Sequence, residues 1–195
     1  MFGFFEKRVP PYPSVEPTVP PKGFFAFIWA CTQGMRGWIA LLTCTSALLA
    51  VYEAALFALM GHVVDWLSTV SPAGFWEQQR GTVWGIAAIL LSSVLLLAFH
   101  TAVMHQVLAI NFPMRLRWVF HRLMLGQSMS FYADEFAGRI TTKIMQTALS
   151  VREVVFMVVD VLVGVSVYMI GILVLAASFE WRLMIPFALW LLAYI

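Results

Sequence analysis

The chain has 195 residues, of which 62% are hydrophobic and 11% are charged. Soluble globular domains carry about a quarter of charged residues, so this composition excludes that class. The net charge of +2 is too small to indicate a nucleic-acid partner. No Asp, Glu, Lys or Arg occurs between Gly81 and Met114, a run longer than the ~20 residues that a membrane span requires. We therefore expect an all-α integral membrane protein that contacts lipid and binds no nucleic acid.

The first predicted region, residues 1–35, combines a proline-rich tail with a helix along the membrane surface. Six of the nine prolines lie between Pro10 and Pro21. Proline opposes helix formation and favours an extended, solvated chain. We therefore expect a disordered tether, with a proline-motif ligand as the alternative. The aromatic residues between Phe24 and Trp29 are typical of an interfacial helix.

The second predicted region, residues 36–195, contains four apolar helices. Their predicted bounds are 38–64, 82–112 with an extension to 126, 154–179, and 183–195. The last run holds 13 residues, which are too few to cross a bilayer. We therefore expect the sequence to stop inside a span of a longer protein.

The second of these helices is predicted to continue well beyond the membrane. Pro113 is expected to kink it without ending it, because an apolar stripe resumes at Leu116 and Phe120. A helix from residue 82 to 126 would rise ~65 Å at ~1.5 Å per residue. This is about twice the ~30 Å thickness of the hydrocarbon core, so the helix should project into water.

A long polar interlude, Ser130 to Glu153, follows this helix. It has two sets of residues at helical spacing, one apolar (Ile140, Ile144, Ala148, Val151 and Val155) and one polar (Arg139, Lys143, Gln146, Ser150 and Glu153). This pattern predicts an amphipathic helix. The chain is thus expected to leave the membrane as one helix and to return as another. An ordinary loop with a frayed helix start is the alternative.

The positive charges predict the orientation of the protein. Ten of the twelve Lys and Arg residues lie before the first span or between the second and third spans, and only Arg80 and Arg182 lie on the other side. Cytoplasmic loops carry the excess of Lys and Arg. We therefore predict a multi-pass protein of the plasma (inner) membrane with a cytoplasmic N-terminus and a cytoplasmic hairpin.

The segment RLRWVFHRLMLGQSMSFYADEFAGRITTKIMQTALSVREVV resembles the first intracellular loop of ABC exporters of the type I (type IV transporter) fold. The residues that carry this resemblance are an Arg and a His before a leucine-rich stretch, then Ser-Phe-Tyr, an acidic residue and Gly-Arg-Ile (Arg117, His121, Leu123, Leu125, Ser130, Phe131, Tyr132, Asp134, Gly138, Arg139 and Ile140). The order of the predicted spans agrees with the same family over nearly the whole chain.

The resemblance implies that this hairpin docks on a nucleotide-binding domain. A short coupling helix is expected at about residues 131–137. The residues implied in coupling are Phe131, Tyr132, Asp134, Glu135, Phe136, Gly138 and Arg139. Local packing by the aromatic residues and helix capping by Asp134 are the alternative roles. The resemblance also implies a second transmembrane domain, identical or different, as a partner.

The 195 residues contain no phosphate-loop motif. We therefore expect no catalytic residue and no cofactor in this chain, and we place ATP and Mg²⁺ in the full-length parent, which would be the ATPase. The His and acidic residues have no metal-ligand spacing on one helix face. Cys31 and Cys44 are expected to be packing residues without a disulfide.

Ionisable residues within spans are costly in lipid and usually face a cavity or a partner. Glu53 lies deep in the first span and His100 in the middle of the second, so both are candidates for the substrate pathway. Hydrogen bonding between helices is the alternative for both. The alternative for the whole protein is a non-ABC membrane protein, either a secondary transporter or a membrane sensor.

Overall fold

A computed structural model describes Gly3 and residues 8–14, 16–70 and 75–194. All regular structure in these residues is helical, so the predicted all-α fold is confirmed. The α-helices, in chain order, are α1 (Phe24–Cys31), α2 (Arg36–Thr69), α3 (Phe75–Thr101), α4 (Asn111–Leu125), α5 (Met129–Asp134), α6 (Ala137–Phe156), α7 (Gly164–Phe179) and α8 (Met184–Tyr194). Two π-helical segments, Ala102–Ala109 and Met157–Val163, and one 3₁₀ turn, Trp181–Leu183, connect some of them.

Three helical stretches in the described residues are long and apolar enough to cross a membrane. They are Arg36–Thr69, Gln79–Leu125 and Gly138–Ser178, and they include the first three predicted spans except for the final residue of the second and of the third. The amphipathic helix and the third span, predicted as two elements, therefore form one helical stretch. Helix α8, Met184–Tyr194, begins one residue after the predicted start of the fourth span.

The helical path from α3 to α4 is irregular before Pro113 and not only at it. The π-helical segment Ala102–Ala109 precedes a turn at Ile110, and Pro113 is the third residue of α4. Proline has no N–H group, so it cannot donate to the carbonyl four residues earlier. The predicted continuation of the helix beyond Pro113 is thus confirmed, and the irregularity spreads over the two turns on its N-terminal side.

The chain divides into two compact units. The first unit consists of residues 1–42 and 100–159, and the second of residues 43–99 and 160–195. The first unit has an apolar core in which α4, α6 and the start of α2 meet. Its buried members include Met35, Leu42, Val107, Leu108, Phe112, Leu116, Ala148 and Val151. Helix α1 joins this core through Cys31, Phe27 and Ile28.

The proline-rich tail also belongs to the first unit, and most of its described residues are exposed, but two of them are buried. Val9 is 1% exposed and belongs to the core, and Pro13 is also buried. The tail is extended, as its prolines require. The burial of these two residues was not predicted, because prolines indicate the conformation of the backbone but not the surface of α4 on which it packs.

The second unit contains a close contact between small residues of α2 and α7. Ser46, Ala50 and Ala54 are four residues apart and buried. A Cβ added to Gly164 would lie 3.0 Å from the Ser46 Oγ, and one added to Gly171 would lie 2.9 Å from the Ala54 Cβ. Small residues at this spacing allow membrane helices to approach closely.

Candidate functional site: the tip of a helical hairpin

Helices α4 and α6 form a hairpin with an apolar seam. Phe112, Leu116 and Phe120 of α4 are buried in the same core as Ala148 and Val151 of α6. The apolar residues of α6 were predicted from their spacing, and the prediction is confirmed because Ala148 and Val151 are buried and the polar set is exposed. The seam gives the hairpin a packed stem, so its far end is held by buried side chains rather than by loop contacts alone.

Helix α1 braces this stem from the side. The rings of Phe27 and Phe120 are stacked with their centroids 6.4 Å apart. Phe24, Phe25 and Trp29 remain exposed on α1, as expected of a helix whose aromatic residues lie at a membrane surface. A helix is therefore present at Phe24–Cys31, where an interfacial helix was predicted, and its inner face packs on the hairpin.

The short helix α5 forms the turn of the hairpin. It begins two residues before the predicted coupling helix and ends at Asp134. The Ser128 side chain caps it by accepting a hydrogen bond from the Phe131 amide at 3.4 Å. A Ser at the N-cap satisfies an amide that a helix leaves without a partner. The start at Met129 was missed because the resemblance located the aromatic motif and not the serine cap before it.

Two of the predicted aromatic anchors have contacts within the turn. The Tyr132 hydroxyl donates to the Met124 carbonyl, and the Tyr132 ring packs edge-to-face on Phe131 at 5.4 Å. Phe131 is half-buried. These two residues therefore stabilise the turn itself, in addition to any partner contact predicted for them.

The third predicted aromatic anchor points away from the protein. Phe136 is 80% exposed and lies between α5 and α6. Met129 is 83% exposed and Leu125 is 69% exposed. We call these three side chains the apolar tip. Met129 and Leu125 were not predicted, although their positions on either side of the Gly126–Ser128 turn could have indicated them.

The predicted polar residues lie beside the apolar tip. The Arg139 Nε and the Glu135 Oε2 form an ion pair at 2.5 Å across one turn. Gly138 is exposed, and a Cβ added to it would meet nothing within 4 Å. The backbone of Asp134 ends α5, but its side chain lies outside the described part. Phe136 occupies the N-cap position of α6 and makes no side-chain capping hydrogen bond.

The two candidates for the substrate pathway have different environments. Glu53 is exposed on α2, in the second unit. His100 is 6% exposed and belongs to the first unit. Glu53 is four residues before Phe57, which lines an apolar cavity of about 590 Å³ together with residues of α7 and α8, among them Tyr168, Phe187 and Trp190. Residues four apart share one helix face.

The second unit holds a further polar contact, in which Ser46 is a partner that was not predicted. The Ser46 hydroxyl donates to the Asp160 carboxylate at 3.2 Å. Asp160 lies in the π-helical segment Met157–Val163. The sequence places Thr43, Thr45 and Ser46 close together in the first span. This polar cluster could have indicated a hydrogen bond between helices.

These features define the class of the protein as a multi-pass helical membrane domain that carries an amphipathic hairpin. The protein-family model of the ABC transporter transmembrane region matches residues 39–195 of the chain. The match covers most of the chain, which therefore belongs to that family. The predicted resemblance is confirmed, and the non-ABC alternative is not favoured.

A curated relative agrees with this assignment. The chain is 46% identical over 194 residues to an uncharacterized ABC transporter ATP-binding protein of Haemophilus influenzae. The alignment covers 100% of this chain and 32% of the relative, so the chain spans about a third of the length of that protein. No solved structure matches the chain.

Proposed function

We propose that the protein containing this chain is an ATP-driven exporter, and that the apolar tip docks on its nucleotide-binding domain. The observation that supports this most directly is the exposure of Phe136, at 80%, on a hairpin whose stem is buried. Compact interfaces gain most of their affinity from a few apolar anchors surrounded by a polar rim. Phe136 and Met129 would be the anchors, and the pair formed by Glu135 and Arg139 would be the rim.

The stem gives the docked tip a mechanical role. Phe112 and Leu116 of α4 share a core with Val151 of α6, so a force on the tip would move both helices together. Packed elements respond to such a force as rigid bodies. Closure of two nucleotide-binding domains around ATP would then pull the hairpin and change the access of the membrane domain from inward to outward.

ATP and Mg²⁺ belong to the nucleotide-binding domain in this proposal. The residues of this chain transmit the motion and do not contact the nucleotide. The name of the Haemophilus influenzae relative, an uncharacterized ABC transporter ATP-binding protein, supports the presence of such a domain. A second transmembrane domain, identical or different, would complete the pathway.

The orientation is part of the same proposal. The apolar tip needs a soluble partner, and the Lys and Arg residues of the hairpin, such as Arg139 and Lys143, favour the cytoplasmic side. The N-terminus would then also be cytoplasmic and the protein would reside in the plasma (inner) membrane. The exposed aromatic face of α1 would lie against lipid.

Glu53 is the better supported of the two candidates for the substrate pathway. It is exposed on the face of α2 that also carries Phe57, and Phe57 lines the apolar cavity. A carboxylate in a span usually faces a cavity or a partner. The burial of His100, at 6% exposure, fits its alternative role, hydrogen bonding between helices.

Thiol accessibility tests the proposed docking. Single cysteines at Gly126, Ser130 and Gly138 would be labelled from the cytoplasmic side in inverted vesicles that hold the full gene product, with and without ATP and vanadate. Cys31 and Cys44 would be replaced by serine. Thr142, which is exposed on α6, offers a matched control position away from the turn.

The proposal predicts rapid labelling of the three turn positions and protection when nucleotide is trapped, whereas the control at Thr142 should change less. Equal labelling with and without nucleotide at all four positions would contradict the docking. Inaccessibility from the cytoplasmic side would contradict the orientation.

A further inference from the structure

Three side chains on one face of α4 bind the backbone of the N-terminal tail. Arg115 Nη1 donates to the Pro10 carbonyl at 3.3 Å, and Trp118 Nε1 donates to the Pro13 carbonyl at 3.2 Å. Arg122 Nη1 donates to the Ser14 carbonyl at 3.5 Å. Positions 115, 118 and 122 are three and four residues apart, so they form one stripe. The stripe contacts an extended segment at three of its carbonyls.

Apolar contacts accompany these hydrogen bonds. The Tyr12 ring packs edge-to-face on Trp118 with the centroids 5.4 Å apart. Pro13 is buried beside this contact, and Val9 reaches the core of the first unit. Extended proline-containing segments bind aromatic surfaces well because their backbone is already restricted before binding.

The turn between α1 and α2 makes room for this arrangement. Gly34 has φ +81°, and a Cβ added to it would lie 2.5 Å from the Arg115 Nη2. A side chain at position 34 would thus be strained and would displace the guanidinium that contacts the tail. Gly34 and Arg115 line a cavity of about 240 Å³ together with Cys31, Pro13 and Pro17.

We propose that residues 8–14 are a strap, an intramolecular ligand of the α4 stripe, which restrains the hairpin while it is bound and frees it when released. The restraint on the hairpin rests on the proposed function, but the binding of the strap to α4 does not. The strap contacts the turn of α4 that holds Trp118, in the helix that leads to the apolar tip. Release of the strap would therefore free this face of α4 from the tail.

Cys31 is a built-in reporter of the bound strap. Its side chain is 7% exposed and lines the cavity that Pro13 and Pro17 also line. Burial raises the pKa of the Cys31 thiol to about 11. Thiol alkylation depends on both access and the thiolate fraction, so a covered Cys31 reacts slowly and an uncovered one faster.

The test is alkylation of Cys31 by N-ethylmaleimide in membranes containing the full gene product with Cys44→Ser. In the test variant, residues 10–14 are replaced by Gly and Ser, which removes Tyr12 and Pro13 without touching a helix. We expect alkylation to accelerate on the order of tenfold, because access to the thiol improves. A matched control replaces the 83% exposed Val19 by glycine and should leave the rate unchanged, because Val19 does not line the cavity that holds Cys31.

A synthetic peptide of residues 8–20 supplies the second arm. Added to the test variant, it should restore slow alkylation, whereas a peptide with alanine in place of Tyr12 and Pro13 should not. An unchanged rate in the test variant, or equal effects of the two peptides, would overturn the strap. These alkylation rates are measured without nucleotide. The strap can therefore be contradicted while the docking of the apolar tip holds, and the docking can be contradicted while the strap holds.

Discussion

Arg152 replaces the hydrogen bond that Pro113 removes from α4. The Arg152 Nη1 donates to the Ala109 carbonyl at 3.3 Å. This carbonyl would accept from the amide of residue 113 in a regular α-helix, and proline has none. The next amide, that of Met114, donates to the Ile110 carbonyl at 3.3 Å. A side chain of α6 thus supplies the donor that the Ala109 carbonyl lacks. The same hydrogen bond joins α6 to the chain just before α4.

Arg152→Met should destabilise the protein by about 1–3 kcal/mol, because it leaves a carbonyl without its donor. Pro113→Ala restores an amide within reach of the same carbonyl, so Arg152→Met should cost less in that background. The measurement is the thermal unfolding of wild type, both single variants and the double variant. Arg152→Lys keeps a donor and is the control. Additive costs would show that the two residues are not coupled.

Tyr132→Phe should loosen the turn of the hairpin. The variant removes only the hydroxyl that donates to the Met124 carbonyl, and one hydrogen bond contributes about 0.5–1.5 kcal/mol. Amides between Gly126 and Phe131 should therefore exchange hydrogen for deuterium several-fold faster. Amides of the α4 stem near Leu116 serve as the internal control, and an unchanged rate in the turn would contradict the role given to the hydroxyl.

Gly171→Val should destabilise the contact between α2 and α7. A Cβ at this position would lie 2.9 Å from the Ala54 Cβ, and overpacking costs about 1–3 kcal/mol. Gly85→Val is the matched control, because a Cβ there meets nothing within 4 Å. Thermal unfolding of both variants in detergent measures the difference. Equal midpoints would show that the close approach of α2 and α7 does not contribute to stability.

The alkylation of Cys31 should depend steeply on pH. Burial raises its pKa to about 11, so the thiolate fraction rises about tenfold for each pH unit well below that value. The rate between pH 7 and pH 9 should therefore climb without levelling off. Because the folded protein holds this proton more tightly than an unfolded chain, whose cysteine titrates near ~8.5, the corresponding stability is present below ~8.5 and is lost as the pH rises towards 11. A plateau near pH 8 would contradict the raised pKa.

The spacing of Ala148, Val151 and Val155 predicted the buried face of α6, because helical period alone determines which residues share a face. The length of uncharged sequence predicted the spans for a similar reason. The strap escaped prediction because its hydrogen bonds join Pro10 and Arg115, which are far apart in the chain. The internal role of Tyr132 escaped for a related reason, since a motif shows which residue is present but not which carbonyl its hydroxyl reaches.

The contact between Ser46 and Gly164 could not be predicted from the sequence either. Small residues are common in spans, and only the packing of α2 against α7 reveals which of them touch. The Pro113 break could be predicted from its residue type. Its repair by Arg152 could not, because the sequence does not determine the register of α4 against α6.

The most direct test of the proposed docking is photo-crosslinking from position 136 in the full gene product. Benzoylphenylalanine would replace Phe136, and separately Met145, which is 44% exposed on α6 away from the turn. Docking of the apolar tip predicts a crosslink from position 136 to a peptide of the ATP-binding domain, at a yield well above that from position 145. Equal yields from the two positions, or crosslinks from position 136 to lipid alone, would contradict it.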